Sequence, residues 1–408
     1  MHRKREVAMI RVSAIKQGLK WSTQICLVAF VVMGISSQAR AAACGAPFKI
    51  TELINSAPFG GGGWTSQPVI NSGVCSPARA VVDGNGVTHV FVMDQNNHLI
   101  EAYQQVIGGS WTILDITNQL NGVTIQGVPA PLATGGPAVQ VFVPNSSGHL
   151  LSFVNPGNEI YQVFDLSTIA GSSAQLVSLA CPALIGTTVH VMVSDRISHL
   201  HDFYKPQPVQ WTDHDFTASV GIAAVNPGCY FYSGAGGSFL QMGARSPSNN
   251  HLVFFAQGVN ADGTFNGNPN GGDITSVTGK TTSSLPSPVV VGSTLQDVAI
   301  FADDGLGHLI DFFKAPNPVQ WVALDRASPL LGRTALSPTA LFFQNVGTNG
   351  TVKVYSAVLG SGVLHIFEYT GDPTTGALTG VDIDNGGTIL SDPYAVVNAG
   401  VIEVFIPN

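Results

Sequence analysis

Charge is scarce in this chain: Asp, Glu, Lys and Arg together make up 10% of its 408 residues. So thin a supply of acids and bases leaves few candidates for acid–base catalysis. The enzyme signatures that would concentrate them are also missing, with neither H-E-x-x-H nor G-x-S-x-G present. No segment beyond the first 43 residues carries a convincing helical period, which excludes bundles and doubly wound α/β folds. Long apolar runs are absent except for ICLVAFVVMGI at residues 26–36, shorter than the roughly 20 residues a membrane span needs.

That single run defines a leader. Arg3, Lys4, Arg5, Arg11, Lys16 and Lys20 precede it, and small residues follow it down to Ala41-Ala42-Ala43. A basic region, an apolar stretch and an A-x-A site make a secretory signal, so residues 1–43 read as a signal peptide and 44–408 as the mature domain. The protein is then exported, to a periplasm or the extracellular space; acylation of Cys44 is the lipid-anchored alternative. Cleavage would leave 365 residues. It removes seven of 17 basic residues and one of 25 acidic ones, leaving ten against 24 and a formal charge of −14. Five scattered arginines (Arg79, Arg196, Arg245, Arg326, Arg333) make no basic footprint, so nucleic acid is not an expected partner. Four cysteines remain, and an even number in an exported chain points to two disulfides, assigned here as Cys181–Cys229 and Cys44–Cys75.

What the chain has in abundance is repetition. Histidine followed by an apolar residue recurs at His98, His149, His199, His251, His308 and His365, at intervals of 51, 50, 52, 57 and 57. Before most of them stands a β-rich stretch such as THVFVMD or VHVMVSD. After them come an aromatic and, four residues on, an acid: Trp111 and Asp115, Tyr161 and Asp165, Trp211 and Asp215, Trp321 and Asp325. Short strands punctuated by 46 glycines at this period predict an all-β fold, a single β-propeller with one blade per repeat. The ends complete one another. FKITELI supplies the spacing of an outermost strand, and DPYAVVNAGVIEVFIPN supplies inner strands without outer ones. Six full repeats and one shared blade make seven, with the ring closed by both termini and no sheet edge left open. PFGGGGWTSQP, residues 58–68, reads as a connector into blade one, and the polar insert at 257–272 as a flexible hairpin excursion.

Repetition also disciplines the search for chemistry. Six histidines on sheets roughly 10 Å apart cannot converge on one metal, so no metal and no cofactor is expected; each histidine starts a strand and bonds a neighbouring turn. Asp-x-Thr and Asp-x-Ser (Asp115, Asp165, Asp215, Asp273) suit strand ends whose side chains bond the following backbone. Blade three alone adds His201, Asp213 and His214; with Lys205–Pro208 as the turn, His199 would face His214 and Asp202 would face Trp211. A carboxylate three residues after the histidine recurs as Glu101, Asp202, Asp311 and Glu368, and three of those blades also carry Trp111, Trp211 or Trp321. An acid that accepts hydroxyl hydrogen bonds beside an aromatic face is what a sugar ring requires.

This unit, an apolar strand, HLIEAY, a turn, then W and D-x-T, resembles the repeats of fungal fucose-specific lectins and related bacterial propeller lectins over nearly the whole mature chain. The resemblance implies sugar sites built from an arginine on the second strand, a glutamate on the third and an aromatic. Glu101, Asp202 and Asp311 match the acid, and Trp111, Trp211 and Trp321 an aromatic. The arginine is absent: His89, Gln140 and His190 stand in its place, with Lys353 and Glu403 in the looser blades. The expected sites are therefore degenerate pockets built from His89, Glu101, Trp111, His190, Asp202, Trp211, Asp311 and Trp321, with glycans as partners and no catalytic residue. Two other readings stay open: a hydrolase or lyase with one site at the channel mouth or in the blade-three cluster, and a scaffold for protein partners.

Overall fold

In a computed structural model the protein is described over residues 47–56, 63–206, 210–234, 237–290, 298–316, 319–326, 334–335, 340–344, 351–360, 363–371, 378–383 and 389–408. The segment read as a signal peptide, 1–43, lies outside these residues. The described chain forms seven antiparallel sheets. Blade one runs outward through Arg79–Val82, Thr88–Met93, Leu99–Gln104 and Thr112–Asp115, and blade two through Ala130–Gly135, Ala138–Pro144, Leu150–Asn155 and Gln162–Asp165. Blade three comprises Cys181–Ile185, Thr188–Ser194, Leu200–Tyr204 and Thr212–Asp215; blade four, Val225–Gly234, Gly237–Arg245, Leu252–Val259 and Phe265–Asp273. Blade five comprises Ser287–Val290, Val298–Asp303, Leu309–Pro316 and Val319–Asp325. In blade six two short segments, Thr334–Ala335 and Ala340–Gln344, share the innermost place beside Thr351–Gly360, Val363–Gly371 and Leu378–Asp382. Innermost strands of successive blades touch all the way round, blade seven meeting blade one.

Blade seven takes Tyr394–Asn398 and Val401–Pro407 from the C-terminal end and Phe48–Asn55 and Thr65–Val74 from the N-terminal end. The shared blade is as expected, but its partition is not. Phe48–Asn55 is the third strand, paired with Val401–Pro407 from Ile50↔Pro407 to Asn55↔Ile402, and the outermost strand is Thr65–Val74. Of the segment read as a connector, 58–62 lie outside the described residues, and Trp64 leads directly into the closing strand, which takes in 65–68.

The recurring histidine and acid prove to be two halves of one clip. His98 reaches Asp115 at 2.9 Å, His149 Asp165 at 2.8 Å, His199 Asp215 at 2.7 Å, His251 Asp273 at 2.6 Å, His308 Asp325 at 2.9 Å and His365 Asp382 at 3.1 Å. In blades one to four the other carboxylate oxygen caps a short helix, accepting from the amides of Asn118, Thr168, Ala218 and Ser276. The hydroxyl two residues on, at Thr117, Ser167, Thr217 and Thr275, accepts the amide that opens the third strand. One Asp-x-Thr thus ends the outer strand, starts the helix and ties both back to the histidine's strand, which is why the sequence repeats all three residues together.

The core is the set of apolar layers between blades. Phe91, Met93 and Ile116 of blade one pack on Val139, Val141 and Phe153 of blade two, and equivalent layers recur round the ring. Alternation along each strand sends one set of side chains to each neighbour, so strands buried on both faces read as continuous apolar runs. Cys181 and Cys229 form a disulfide joining the innermost strands of blades three and four. Cys75 is also disulfide-bonded; its expected partner, Cys44, lies outside the described residues.

The insert of blade four is not a free excursion. It extends the outer hairpin so that its tip lies on blade three: Thr188 donates to the carbonyl of Asp262, His190 donates to that of Gly263 at 2.8 Å, and Phe265 stacks on His190 and Tyr204. Gly263 is at φ +87°, and a Cβ there would collide with Thr188 and the carbonyl of Ile185. The glycine content of the insert serves close approach as well as turning.

Candidate functional site

Strand register decides which side chains can form a site. Glu101 lies opposite Leu114, Asp202 opposite His214 and Asp311 opposite Leu324. Each tryptophan stands three positions before that partner, so by strict alternation it points to the other face of its blade. A blade's acid and its own tryptophan therefore cannot meet. The expected facing of His199 with His214 and of Asp202 with Trp211 is corrected on the same ground, each cross-strand partner standing three residues beyond the one that a turn at Lys205–Pro208 would give. Glu101 looks across a seam to Tyr161 of blade two, and the His190–Asp202 pair to Phe265 of blade four, whereas Asp311 is paired within its own blade.

At the seam of blades seven and one, Trp111 donates its indole N–H to Glu52 at 3.2 Å. Glu52 was not among the expected residues, yet it occupies the acid column of the third strand, opposite Phe405 as Glu101 is opposite Phe91. Its carboxylate also accepts from Gln67 at 2.6 Å and Gln104 at 3.1 Å. Gln104 bonds Glu403 as well, at 2.9 Å, and Thr88 donates to Glu403 at 2.8 Å. Burial, followed by the facing Glu52 carboxyl, pushes Glu403 up to about 8 against the pull of Thr88 and Gln104. One carboxyl of the pair is thus held protonated at neutral pH.

The seam of blades one and two is built differently. His89 Nδ1 meets Glu101 Oε1 at 2.6 Å, both side chains buried, and Asp83 stands 3.7 Å from His89 Nε2. Burial would depress His89, but Glu101 and Asp83 outweigh it and raise its pKa. From blade two come Tyr161, 3% exposed, and Glu159. The Tyr161 hydroxyl faces Glu101 and Asn155. No hydrogen bond of good geometry reaches that hydroxyl or Glu101 Oε2, although both are sealed from solvent and the phenol lies near enough to Glu101 and Asn155 for both to act on it. Glu159 and Tyr103 are part-exposed above them, Glu159 at φ +58° and held up in pKa by burial and by Glu101. Orphaned buried polar atoms cost of order 1–3 kcal/mol each. Their convergence beneath an open rim is the distinctive feature of this seam.

At the other seams, among the described residues, the matching acids and aromatics have partners within the protein. Trp211 packs edge-on to Phe142 of blade two, near a Gln140–Ser152 hydrogen bond of 2.6 Å. His190 and Asp202, 2.7 Å apart and fully buried, are covered by Phe265 of the insert. Trp321 lies against Phe254 of blade four, with the Lys314 ammonium over both rings. Asp311 is paired with Arg326, buried at the end of blade five's own outermost strand, while burial still lifts its pKa to about 6. Glu368 takes Lys353 Nζ at 2.5 Å and Tyr355 OH at 3.0 Å, and Trp64 packs edge-on to Tyr355. Of the expected residues, then, His89 and Glu101 share a seam whose buried polar atoms are left unpaired, Trp111 joins an acid pair, and His190, Asp202, Trp211, Asp311 and Trp321 are engaged in packing or ion pairs.

Blade three's additional polar residues form a structural chain. His201 Nδ1 meets Asp213 at 2.9 Å, its Nε2 lies 3.5 Å from Asp195, and Ser172 donates to Asp213 at 2.5 Å. Burial opposes the charge on His201, but Asp213, Asp215 and Asp195 raise its pKa. His214 is turned away, against Phe216 and Phe265. Among the described residues no group of three or more His, Cys, Asp or Glu is placed to hold a metal ion, and no helix is long and apolar enough to cross a membrane.

A seven-bladed ring with polar columns between its blades is a β-propeller, and its fold is shared by solved lectins. A lectin from Burkholderia pseudomallei matches 85% of this chain and 99% of its own at 15% identity, with a TM-score of 0.55. AofleA of Arthrobotrys oligospora matches 91% and 96% at 12% identity and TM-score 0.49, and the six-bladed fucose-recognising lectin of Aleuria aurantia 76% and 97% at 16% and 0.42. At such identities the likeness is one of fold. No protein-family model matches the chain, and no curated protein matches it by sequence.

Proposed function

We propose that this protein is an exported glycan-binding propeller whose principal sugar site is the seam of blades one and two. The observation that carries the reading is the pair of buried, unpartnered atoms, Glu101 Oε2 and the Tyr161 hydroxyl, beneath a part-exposed rim. A sugar hydroxyl is both donor and acceptor: it can donate to the carboxylate while accepting from the phenol, satisfying both at once. His89 fixes the Glu101 carboxylate from behind. Tyr103 offers an aromatic face to the apolar side of the ring, and Glu159, held by the buried Asn155 beneath it, offers a further acceptor at the rim. Export rests on the leader at 1–43. The propeller lectin from Burkholderia pseudomallei, matched over nearly its whole length, supports a glycan role on this fold.

Isothermal titration of the mature protein with a panel of neutral monosaccharides tests the proposal. Glu101→Gln keeps the shape but removes the charge-assisted acceptor and should weaken the bound sugar by tenfold or more, and Tyr161→Phe by a smaller factor. Binding that is absent at millimolar sugar, or is indifferent to both substitutions, would contradict this site.

A further inference from the structure

The arginines of the mature chain are few, and their placement is uneven. Arg79 is buried over the Tyr394 ring and bonded to the Ala78 carbonyl, and Arg326 is buried against Asp311. The next two, Arg196 and Arg245, both line one cleft of about 600 Å³, bounded by the turns that join the second and third strands of blades two, three and four. Neither forms a salt bridge among the described residues. Arg245 is half-buried; it donates to Asn250 at 3.2 Å, but its Nε is sealed from solvent with no partner, and burial lowers its pKa. The Ser194 hydroxyl, also on the cleft wall, is buried and unpartnered. Asp195 is the cleft's one carboxylate. It is committed elsewhere: Oδ1 accepts from the amides of Ile197 and His199, and Oδ2 faces His201 at 3.5 Å.

We infer that this cleft is a second binding site, separate from the blade seams, for a carboxylate-bearing ligand of the size and polarity of a uronic-acid residue. Two guanidinium groups without anionic partners, in a protein whose mature charge is strongly negative, form a local positive site in a negative field. Arginine's planar fork matches a carboxylate in two-point hydrogen bonding. A volume of this size accommodates a hexuronate, within the range of small-molecule sites. The remaining lining suits the rest of such a ring: Asn145, Asn226 and Gln126 for hydroxyls, and Val177, 41% exposed, for an apolar face. At other blades the equivalent of Arg245, the last residue of the second strand, is Met93, Pro144, Ser194 or Asp303, so the arginine is no part of the repeat.

Titration of the mature protein with galacturonate and glucuronate, beside galactose, glucose and inorganic phosphate, tests the inference. The uronates should bind, the neutral parents should bind at least tenfold more weakly at this cleft, and added salt should weaken the uronates. Arg196→Gln, on an exposed side chain that folding does not need, and Arg245→Gln should each weaken uronate binding about tenfold or more. Glu101→Gln should leave it unchanged, which separates this site from the seam. Equal affinity for uronate and neutral sugar, tighter binding of inorganic phosphate than of uronate, or uronate binding unaltered in both arginine variants would overturn the assignment.

Discussion

The two ends of the chain are joined across blade seven by a carboxyl pair, and the cost of that pair should be visible as pH dependence. Glu52 lies on an N-terminal strand and Glu403 on the C-terminal one, and their hydrogen-bond partners Gln67, Gln104, Thr88 and Trp111 are all uncharged. Glu403 titrates near 8 in the fold against an ordinary value of 4.5. Between those two values the folded chain holds a proton that the unfolded chain has released, so this contribution is full below pH 4.5 and is lost as pH rises through about 8. One proton corresponds to about 1.4 kcal/mol per pH unit, or roughly 4 kcal/mol between pH 5 and pH 8. Glu403→Gln mimics the protonated acid. It should match the parent at pH 5, then exceed it by a margin that grows with pH. Urea denaturation of both proteins at pH 5, 6, 7 and 8 reads the difference. His89 and His190, whose pKa values are raised in the fold, also remove stability as pH rises above the ordinary imidazole range. They do so in both proteins and cancel. Parallel pH profiles for parent and variant would refute the shared-proton account of the ring closure.

Two further outcomes follow from the packing. Asp215→Ala removes the cap on Ala218 and the partner of His199 in one step and should lower stability by about 1–3 kcal/mol, measured by urea denaturation, whereas Asp215→Asn, which keeps the cap acceptor, should recover part of it. Phe265→Ala should uncover His190 and Asp202, so that His190, protected in the parent, becomes reactive to an imidazole acylating reagent; continued protection would show that the insert is not what covers this seam.

The architecture was legible because the clip is built from rare residues at fixed positions. Histidine, tryptophan and aspartate are uncommon in a chain of this composition, so their recurrence stands out, and six copies plus two complementary ends sufficed to count seven blades. The N-terminal strand was placed one position too far out because Phe48 and Glu52 happen to show the spacing of an outermost strand, while the true outermost strand, Thr65–Val74, ends without the Asp-x-Thr signal. The candidate site was only half legible. Counting residues along the hairpin from Glu101 to Trp111 suggested a pair, but an acid's cross-strand partner stands three residues beyond the tryptophan, and odd offsets in a strand lie on opposite faces. That parity sends Glu101 towards Tyr161 and Trp111 towards Glu52. What no single-blade reading supplies is the contact across a seam, since it joins residues about one repeat apart. The insert illustrates the same limit: its polar sequence resembles a solvated loop, and only its position against His190 shows Phe265 and Gly263 to be packed.

The most direct test of the central claim is a crystal structure of the mature protein soaked with whichever monosaccharide binds in solution. The account predicts a sugar in the seam of blades one and two, with one hydroxyl within hydrogen-bonding distance of both Glu101 Oε2 and the Tyr161 hydroxyl. A sugar bound only at the faces of Trp211 or Trp321, with the space between Glu101 and Tyr161 unchanged, would contradict it.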